Sequence, residues 1–469
     1  MVIAITMKNP AFGIDYLKAS LKKSGLFFYC VFSPFIFYGQ QLEWGGKTEA
    51  LAVIAENQNP FWFYTNTENA FGANSNFSVT AEITALYPIS EKAKLSGKLS
   101  FFYRDNILNE FQRKESFLRF SNTWLRISAG AFSTINKEAQ LSVSNKNFLF
   151  SGNSRPMPGF LAEAVEPTKI SSVFSIDWGI GHYFLNDSNR FVKNTWVHYK
   201  RLGLYTQLSE NHKLHLQLQH YAQWAGTSPI YGDLKDDFEA FIDVFTARKS
   251  AEKGVEGEIL NAVGNHLGSY LFDYYYTSTF GTLNLYHEHP FEDGSGTAWK
   301  NFPDGIWGVG FKPSTSKYIK NVVYEFIETS DQSGNTTDSG FDGYFGNNIY
   351  RSGWVYENNF IGLPLLLYNP FLELNETNTP FISNRLKAHH IGVSGSFLNF
   401  NWELKTTWVK NLGTYRHPLP EPLKSWNNYL LLEYPTQKYG SFKFLSGFDS
   451  SNLNNTNWSI GVGYLYTVL

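Results

Sequence analysis

The stretch FSVTAEITALYPISEKAKLSGKLSFFYR, residues 77–104, consists of two runs of alternating side chains joined by a short turn. The first run places mostly apolar residues on one face of an extended chain and mostly polar residues on the other. The second run, which begins at Ala93, does the same. Each run is about 11 residues long, which is the length that a tilted strand needs to cross a bilayer. Residues 77–104 therefore predict a β-hairpin of membrane-spanning length.

The end of the chain carries the same pattern. One face of the last run is apolar and largely aromatic, and it contains Trp458, Ile460, Val462, Tyr464, Tyr466 and Val468. The opposite face is mostly small or polar. Other alternating runs cover residues 123–132, 213–224, 279–287, 320–327, 390–400, 401–410 and 439–448. A chain that ends on a strand with aromatic residues outward is typical of outer-membrane barrels.

Strand length distinguishes this pattern from that of a soluble β-sandwich or β-helix, which also alternates. Soluble strands are usually about 5–6 residues long, whereas these runs are about 10–12. Lipid offers no partners to backbone amides, so a strand protein in a membrane must close on itself. About 430 residues, at roughly 24 per strand and connection, correspond to 16–18 strands. We therefore predict an all-β fold, a transmembrane antiparallel β-barrel of roughly 16–18 strands.

The composition is compatible with this fold. Aromatic residues make up 17% of the 469 residues and charged residues also 17%, the latter below the roughly 25% of soluble domains. The mean hydropathy is -0.28, so the apolar residues are dispersed along the chain and not collected into blocks. The net charge of -2 gives no electrostatic basis for a nucleic-acid partner.

The N-terminus holds the one apolar block, and it predicts a secretory signal peptide over residues 1–39. Lysines precede the apolar run of residues 25–38, and a small residue follows it. This run is interrupted by a proline and is short for a membrane span of about 20 residues. The single cysteine, Cys30, lies inside it, so the barrel expected over residues 40–469 would hold no disulfide. No other segment approaches 18 unbroken apolar residues, which predicts no transmembrane helix.

Four segments break the alternation and predict inserts between strands. They cover about 144–159, 233–268, 287–307 and 341–364. In the second insert, Phe238, Phe241, Ile242 and Phe245 recur at helical spacing, with acidic residues before them and basic residues after them. A barrel of this size has an open lumen unless something fills it. We expect helical inserts that plug or cap the lumen.

Four blocks of sequence carry a resemblance to a known family. They are HYKRLGLYTQL…QHYAQWAG, DDFEAFIDVF…GNHLGSY, HEHPFEDGSG…PDGIWG and GNNIYRSGWVYENNFIGLPL. Together they resemble the Wzi-type capsule assembly family, particularly its Bacteroidetes-like branch, over roughly residues 144–370. The ends of the chain agree with that family in pattern and not in motif.

The resemblance implies a protein of the cell outer membrane that binds exported polysaccharide and helps to attach the capsule. It implies a lectin-like role without catalysis and without a cofactor. The partners it implies are capsular or other exported polysaccharide, outer-membrane lipid and the polysaccharide export machinery.

The inserts bring aromatic rings, amides, carboxylates and guanidinium groups together in the sequence. Sugars present C–H faces that stack on Tyr and Trp rings, and hydroxyls that pair with Asp, Asn and Arg. We therefore expect polysaccharide to contact Arg155, Asp293, Asp304, Trp307, Asp342, Tyr344, Asn347, Tyr350, Arg351 and Trp354. An acidic polysaccharide would favour Arg155 and Arg351 as partners of its carboxylates.

Structural roles are the alternative for these residues. Gly-Asn-Asn turns and aromatic residues at strand ends are common in barrels. Asp293, Asp304 and Arg155 could form an ion-pair network that holds a plug in place. The alternative functions are a porin-like channel for passive diffusion and an outer-membrane hydrolase.

Two further chemistries have weak support. His287 and His289 share one face of a strand, but the sequence shows no third ligand, so we expect no metal site. Glu288 and Glu292, close to Asp293, could form a glycosidase pair. The sequence does not give the distance between the carboxylates on which that reaction depends.

Overall fold

The computed structural model describes residues 42–248, 255, 262–333, 343–375, 378–436, 438–453 and 456–468. Within them, 18 antiparallel strands form a closed barrel. The last strand pairs with the first, so that Gly46 lies opposite Val468 and Ala55 opposite Ser459. This closure leaves no free sheet edge to expose its backbone amides to lipid. The predicted all-β barrel is confirmed, and the expected signal segment 1–39 lies outside the described residues.

The barrel strands, numbered in chain order, are β1 (Glu43–Ala55), β2 (Phe77–Ser90), β3 (Ala93–Arg104), β4 (Phe111–Ser121), β5 (Leu125–Ala131), β6 (Pro158–Ala164), β7 (Phe174–Leu185), β8 (Thr195–Ser209), β9 (His212–Trp224), β10 (Asn265–Ser278), β11 (Gly281–Phe291), β12 (Gly305–Pro313), β13 (Ile319–Glu328), β14 (Arg385–Phe397), β15 (Phe400–Gly413), β16 (Pro418–Pro435), β17 (Ser441–Ser451) and β18 (Thr456–Val468). Short strands in the connections are Thr168–Lys169, which pairs with β7, and the pairs Thr227–Ser228 with Gly232–Asp233, Val355–Tyr356 with Asn359–Phe360, and Leu367–Tyr368 with Phe381–Ser383.

The hairpin expected from residues 77–104 is formed by β2 and β3, with Ile83 opposite Leu99. Both side chains are exposed on the outer surface, while the neighbouring Ser100 is buried inside the barrel. The face of β18 from Trp458 to Val468 that was expected to point outward is exposed as well. Alternation therefore sorts side chains between lipid and lumen, as the sequence predicts.

All long connections lie at one end of the barrel. Short turns join β2 to β3, β8 to β9, β10 to β11 and β14 to β15 at the end where the chain enters β1. The opposite end carries the connections of residues 56–76, 132–157, 225–264, 292–304 and 329–384. Outer-membrane barrels have short periplasmic turns and longer extracellular loops. The inserts therefore gather at the extracellular end.

Two of these connections, 132–157 and 343–383, fold into the lumen. The amide of Phe148 donates a hydrogen bond of 2.8 Å to Glu288, and the amide of Val143 donates one of 2.8 Å to Glu325. Both glutamates lie on the inner wall. Buried apolar side chains from the two connections form one large cluster with residues of the inner wall. The core of this protein is therefore inside the barrel.

The helices are short. Among the described residues they are α1 (Phe61–Tyr64), α2 (Phe238–Thr246), α3 (Gly294–Thr297) and a 3₁₀ turn at Lys137–Ala139. In the part of the chain that the structure describes, no helix is long and apolar enough to cross a membrane. Asp237 caps α2 by accepting a 2.8 Å hydrogen bond from the amide of Ala240.

Helix α2 lies on the outer surface of the barrel. Its residues Ala240 and Val244 are buried against Ala222 and Trp224 of β9. The intervening Gln223 points into the lumen, where its side chain donates to the insert, so Ala222 and Trp224 point outward. The expected amphipathic helix is therefore present, but it covers the outside of the wall. The connections that occupy the lumen are irregular.

Candidate functional site

The insert of residues 343–368 contains half of the expected binding residues. Its start is shaped by Asn347, whose Oδ1 accepts hydrogen bonds of 2.9 and 3.0 Å from the amides of Ile349 and Tyr350. Such a turn is a common use of asparagine. The Asn347 side chain also donates to Asn265 Oδ1 at 3.2 Å. Asn347 therefore sets the local conformation and fastens the insert to β10.

Tyr350 and Trp354 are buried inside the inserts. The indole Nε1 of Trp354 donates a 2.6 Å hydrogen bond to the carbonyl of Leu149, which belongs to the other lumen insert. The hydroxyl of Tyr350 donates to the carbonyl of Ala225 at 3.3 Å. Buried indole and phenol groups usually need such partners. In this arrangement both rings connect neighbouring inserts.

Asp304 and Tyr344 form a second fastening point. The carboxylate of Asp304 accepts hydrogen bonds from the amides of Asp331 and Gln332 at 3.0 and 2.7 Å, and from the hydroxyl of Tyr344 at 2.9 Å. Burial raises the pKa of Asp304 to about 6, although these three donors oppose the shift. Asp342, which was expected beside Tyr344, lies outside the described residues.

Arg155 pairs with Glu357 and so joins the two lumen inserts. The distance from Arg155 Nη2 to Glu357 Oε1 is 2.6 Å. Glu357 and Asn358 have φ values of 51° and 61°, which are typical of a two-residue hairpin turn. This turn presents the Glu357 carboxylate to Arg155. This ion pair agrees with the alternative role considered for Arg155, that of holding a plug in place.

Asp293 and Trp307 lie apart from the other expected residues. Asp293 is exposed, and its Oδ1 accepts 2.9 Å hydrogen bonds from the amides of Ser295 and Gly296 at the start of α3. Trp307 points outward from β12 and stacks on His287 with ring centroids 3.7 Å apart. The structure therefore does not bring all ten expected residues to one surface.

His287 and His289 are parts of an aromatic stack on the outside of the wall. The ring of His289 lies 4.1 Å from that of Trp299, which comes from the connection between β11 and β12. His289 also contacts the carbonyl of Asp304 at 3.2 Å. Within the described ranges, no group of three or more His, Cys, Asp or Glu residues is arranged to hold a metal ion.

The glutamates considered as a catalytic pair hold backbone groups. Besides the amide of Phe148, Glu288 accepts hydrogen bonds from Ser269 Oγ at 2.8 Å and Gln219 Nε2 at 3.1 Å. Glu292 accepts a hydrogen bond from the amide of Phe345. Each carboxylate therefore has a structural role in positioning the inserts.

A cleft of about 590 Å³ opens at the extracellular end of the barrel. Its lining combines amides, cations and apolar surface, and it includes Asn189, Arg190, Phe191, Lys193, Ile230 and Asn375. Arg351 lies beside it, with its guanidinium 6.0 Å from the centre of the Phe191 ring. The Arg190 guanidinium joins this lining to the insert of residues 343–368 by donating to the carbonyls of Val355 and Gly353 at 2.5 and 3.2 Å.

None of the residues that line this cleft was predicted from the sequence. Only Arg351, which lies beside the cleft, was among the expected binding residues. Phe191 and Lys193 belong to the short connection of residues 186–194, which was not recognised as an insert. The only local signal is the sequence Asn189-Arg190-Phe191, which groups an amide, a cation and a ring as the insert of residues 341–364 does. Such a short polar stretch is otherwise typical of an ordinary loop.

The closed barrel, with its apolar outer surface and its inserts at one end, defines the class: this is an integral β-barrel protein of the outer membrane. Its fold is similar to that of Wzi, described as an outer-membrane protein involved in group 1 capsule assembly in Escherichia coli and a carbohydrate-binding β-barrel. The TM-score is 0.58 at 14% sequence identity, covering 89% of this chain and 83% of Wzi.

Two other solved barrels are similar over most of their length. OccK3 (OpdO) of Pseudomonas aeruginosa has a TM-score of 0.50 at 10% identity, covering 91% of this chain and 96% of that chain. OccAB4 of Acinetobacter baumannii has a TM-score of 0.48 at 10% identity, covering 91% and 98%. No protein-family model and no curated protein sequence matches the chain. At these identities the likeness is one of fold.

Proposed function

We propose that this protein is a non-catalytic member of the Wzi type that binds surface or capsular polysaccharide and helps to assemble or attach the capsule. The observation that carries the proposal is the extracellular cleft of about 590 Å³, which opens above an occupied lumen. The likeness in fold to a carbohydrate-binding barrel and the four resembling sequence blocks add support.

The groups around the cleft suit a sugar chain. The Phe191 ring offers an apolar face for the C–H side of a pyranose, and Arg351 lies next to it. Lys193, Asn189 and Asn375 are of the types that bind hydroxyl or carboxylate groups.

The occupied lumen favours a binding protein over a diffusion channel. The insert of residues 132–157 bonds to the inner wall through Glu288 and Glu325, and it bonds to the other lumen insert through Leu149 and Trp354. These contacts and the apolar cluster around them hold the inserts inside the lumen. A purified binder should therefore show little steady conductance in planar bilayers, whereas a passive channel should show large ohmic steps.

A hydrolase has less support. Glu288 and Glu292 are held by backbone amides of the inserts. Replacing Glu288, Glu292 or Asp293 singly by Ala should abolish turnover if the protein cleaved glycan or lipid. Incubating the purified barrel with surface polysaccharide and sizing the product would detect such cleavage, and we expect the polymer length to stay constant.

The decisive experiment measures retention of surface polysaccharide from the producing bacterium on the purified barrel. Phe191→Ala and Arg351→Ala should each reduce retention several-fold, because they remove the ring and the cation at the cleft. Phe280→Ala is the matched control, since Phe280 is 81% exposed in a short turn at the opposite end. All variants should keep the heat-modifiable electrophoretic mobility of a folded barrel. Unchanged retention in both cleft variants would contradict this placement of the site.

A further inference from the structure

The inner rim of the barrel carries three arginines close to a single carboxylate. Arg104 ends β3, Arg113 lies near the start of β4, and Arg155 comes from the insert of residues 132–157. Arg155 donates to the carbonyl of Arg113 at 3.1 Å and pairs with Glu357 at 2.6 Å. Arg104 and Arg155 are close enough to repel each other. Within the described part of the chain, only Glu357 forms an ion pair with any of the three.

Several donors of these guanidinium groups have no acceptor. Arg104 Nε, Arg113 Nη1 and Arg155 Nε are each buried without a hydrogen-bond partner among the described residues. Arg104 is 7% exposed and Arg155 is 8% exposed. Arginine stays charged at every pH that a folded protein tolerates, so the cluster cannot relieve its repulsion by losing a proton. Like charges buried this close are unfavourable unless an anion accepts the free donors.

The cluster and the extracellular cleft are linked through the connection of residues 186–194. Asn189 and Arg190, in the connection of residues 186–194, line the cleft. In the same connection, Asn186 accepts a 3.0 Å hydrogen bond from the hydroxyl of Tyr356, the residue before Glu357. The Glu357 side chain is 37% exposed, so solvent reaches the arginine cluster from this side. A chain molecule lying in the cleft could therefore extend to the arginines.

We propose that Arg104, Arg113 and Arg155 bind carboxylate groups of an acidic polysaccharide. The inference rests on the proposed function and names its substrate class. A carboxylate is planar and accepts two parallel N–H donors from a guanidinium, the group that all three residues carry. Neutral residues of the same polymer occupy the cleft beside Phe191. The Glu357 carboxylate holds Arg155 in place on the solvent-facing side of the cluster.

The test compares three probes by calorimetry on the purified barrel in detergent. They are an oligogalacturonate, a neutral malto-oligosaccharide of the same length, and inorganic phosphate. We expect the oligogalacturonate to bind at least about tenfold more tightly than the neutral probe, because charged hydrogen bonds add to the sugar contacts. High salt should weaken acidic-probe binding and leave neutral-probe binding unchanged.

Arg104→Gln and Arg113→Gln should each weaken oligogalacturonate binding about tenfold or more and leave malto-oligosaccharide binding unchanged. Arg104→Lys should recover part of the loss, since it restores the charge without the fork of donors. Arg126→Gln is the matched control, because Arg126 lies at the short-turn end, where it pairs with Glu163 at 3.2 Å. Heat-modifiable mobility reports folding for every variant.

The outcomes separate this inference from the proposed function. If both glycans bind equally and the arginine variants behave like the wild type, the acidic-polysaccharide inference is overturned while glycan binding stands. If phosphate alone binds, and does so through Arg104 and Arg113, the cluster is a phosphate site and the inference is overturned. If no glycan binds, the proposed function fails and the inference fails with it.

Discussion

Lys146 Nζ lies 2.8 Å from Asp273 Oδ2, and this ion pair ties the insert of residues 132–157 to the inner wall at β10. The same ammonium group sits 4.2 Å from the centre of the Tyr286 ring on β11. Lys146 also adopts a positive φ of 56°, which turns the insert towards the wall. Both charges are largely buried, so each depends on the other for stabilisation.

Lys146→Met should loosen the lumen insert. The substitution keeps much of the side-chain volume but leaves the Asp273 carboxylate without its cation, a loss that costs about 3–5 kcal/mol for a buried pair. We expect frequent conductance steps in planar bilayers for this variant and little current for the wild type. The control is Lys443→Met, because Lys443 on β17 pairs with Glu49 on β1 and so joins two wall strands. Equal currents in wild type and Lys146→Met would contradict this role.

Trp354→Phe should lower the free energy of unfolding by about 1–3 kcal/mol, because the buried carbonyl of Leu149 loses its donor. Trp354→Ala should cost about 3–5 kcal/mol through the cavity it leaves. The temperature at which heat-modifiable mobility is lost measures both effects. Trp44→Phe is the control, since Trp44 is 61% exposed on the outer surface. If Trp354→Phe and Trp44→Phe lose mobility at the same temperature, the indole bond contributes nothing.

The contact between Asp304 and its three donors should be pH-dependent. The pKa of Asp304 in the folded protein is about 6, raised from its ordinary value by burial and by the nearby Asp331 carboxylate. Because the pKa of Asp304 is higher in the folded protein than in the unfolded chain, protonation of Asp304 stabilises the fold. This stabilisation is complete below pH 3.8 and is lost as the pH rises through about 6. The protection factors of the amides of residues 329–333, which correct the exchange rates for their intrinsic pH dependence, should therefore be higher at pH 4.5 than at pH 7.

Asp304→Asn should flatten that pH dependence, because an amide does not titrate in this range. The matched control is Asp236→Asn, an exposed side chain before α2. Its exchange profile at residues 329–333 should follow that of the wild type. A steep pH dependence that survives in Asp304→Asn would assign the effect to another group.

Helix α2 should contact lipid through Phe238, which is 77% exposed although it belongs to the apolar face. The apolar face of α2 is wider than the strip that Ala240 and Val244 bury against the barrel wall. We expect the remaining apolar side chains to face the membrane interface. A polarity-sensitive dye on Phe238→Cys should shift to the blue when the barrel is moved from a fluorinated surfactant into phospholipid vesicles. The same dye on Asp236→Cys should not shift. Identical spectra at the two sites would place α2 in water.

The fold could be predicted from the sequence because one rule governs every strand. Side chains alternate between lipid and lumen, and Trp458 to Val468 shows this as clearly as the β2–β3 hairpin. The helical spacing of Phe238, Phe241 and Phe245 likewise predicted α2. Its placement could not be predicted, because an apolar face packs equally well on the lumen side or on the outward side of a wall.

The candidate site was only partly predictable. The sequence singled out Arg351 and Arg155, since both lie in dense polar-aromatic stretches. Arg104 and Arg113 lie on strands, where an inward-facing arginine is an ordinary lumen residue, and their approach to Arg155 depends on how a distant insert folds. Tyr350 and Trp354 have the residue types of a sugar platform, yet their polar atoms bind carbonyls of neighbouring inserts.

The sequence by itself determined that the chain is a closed barrel, because strand length and alternation are local properties that lipid imposes on each segment separately. The tertiary structure decided which inserts enter the lumen, where α2 lies, and which of the aromatic and charged side chains remain open to a ligand. These depend on contacts such as those of Trp354 with Leu149 and Arg155 with Glu357, which join residues about 200 positions apart in the chain. No local pattern encodes such pairings, since each exists only after the barrel wall has brought its loops to one end.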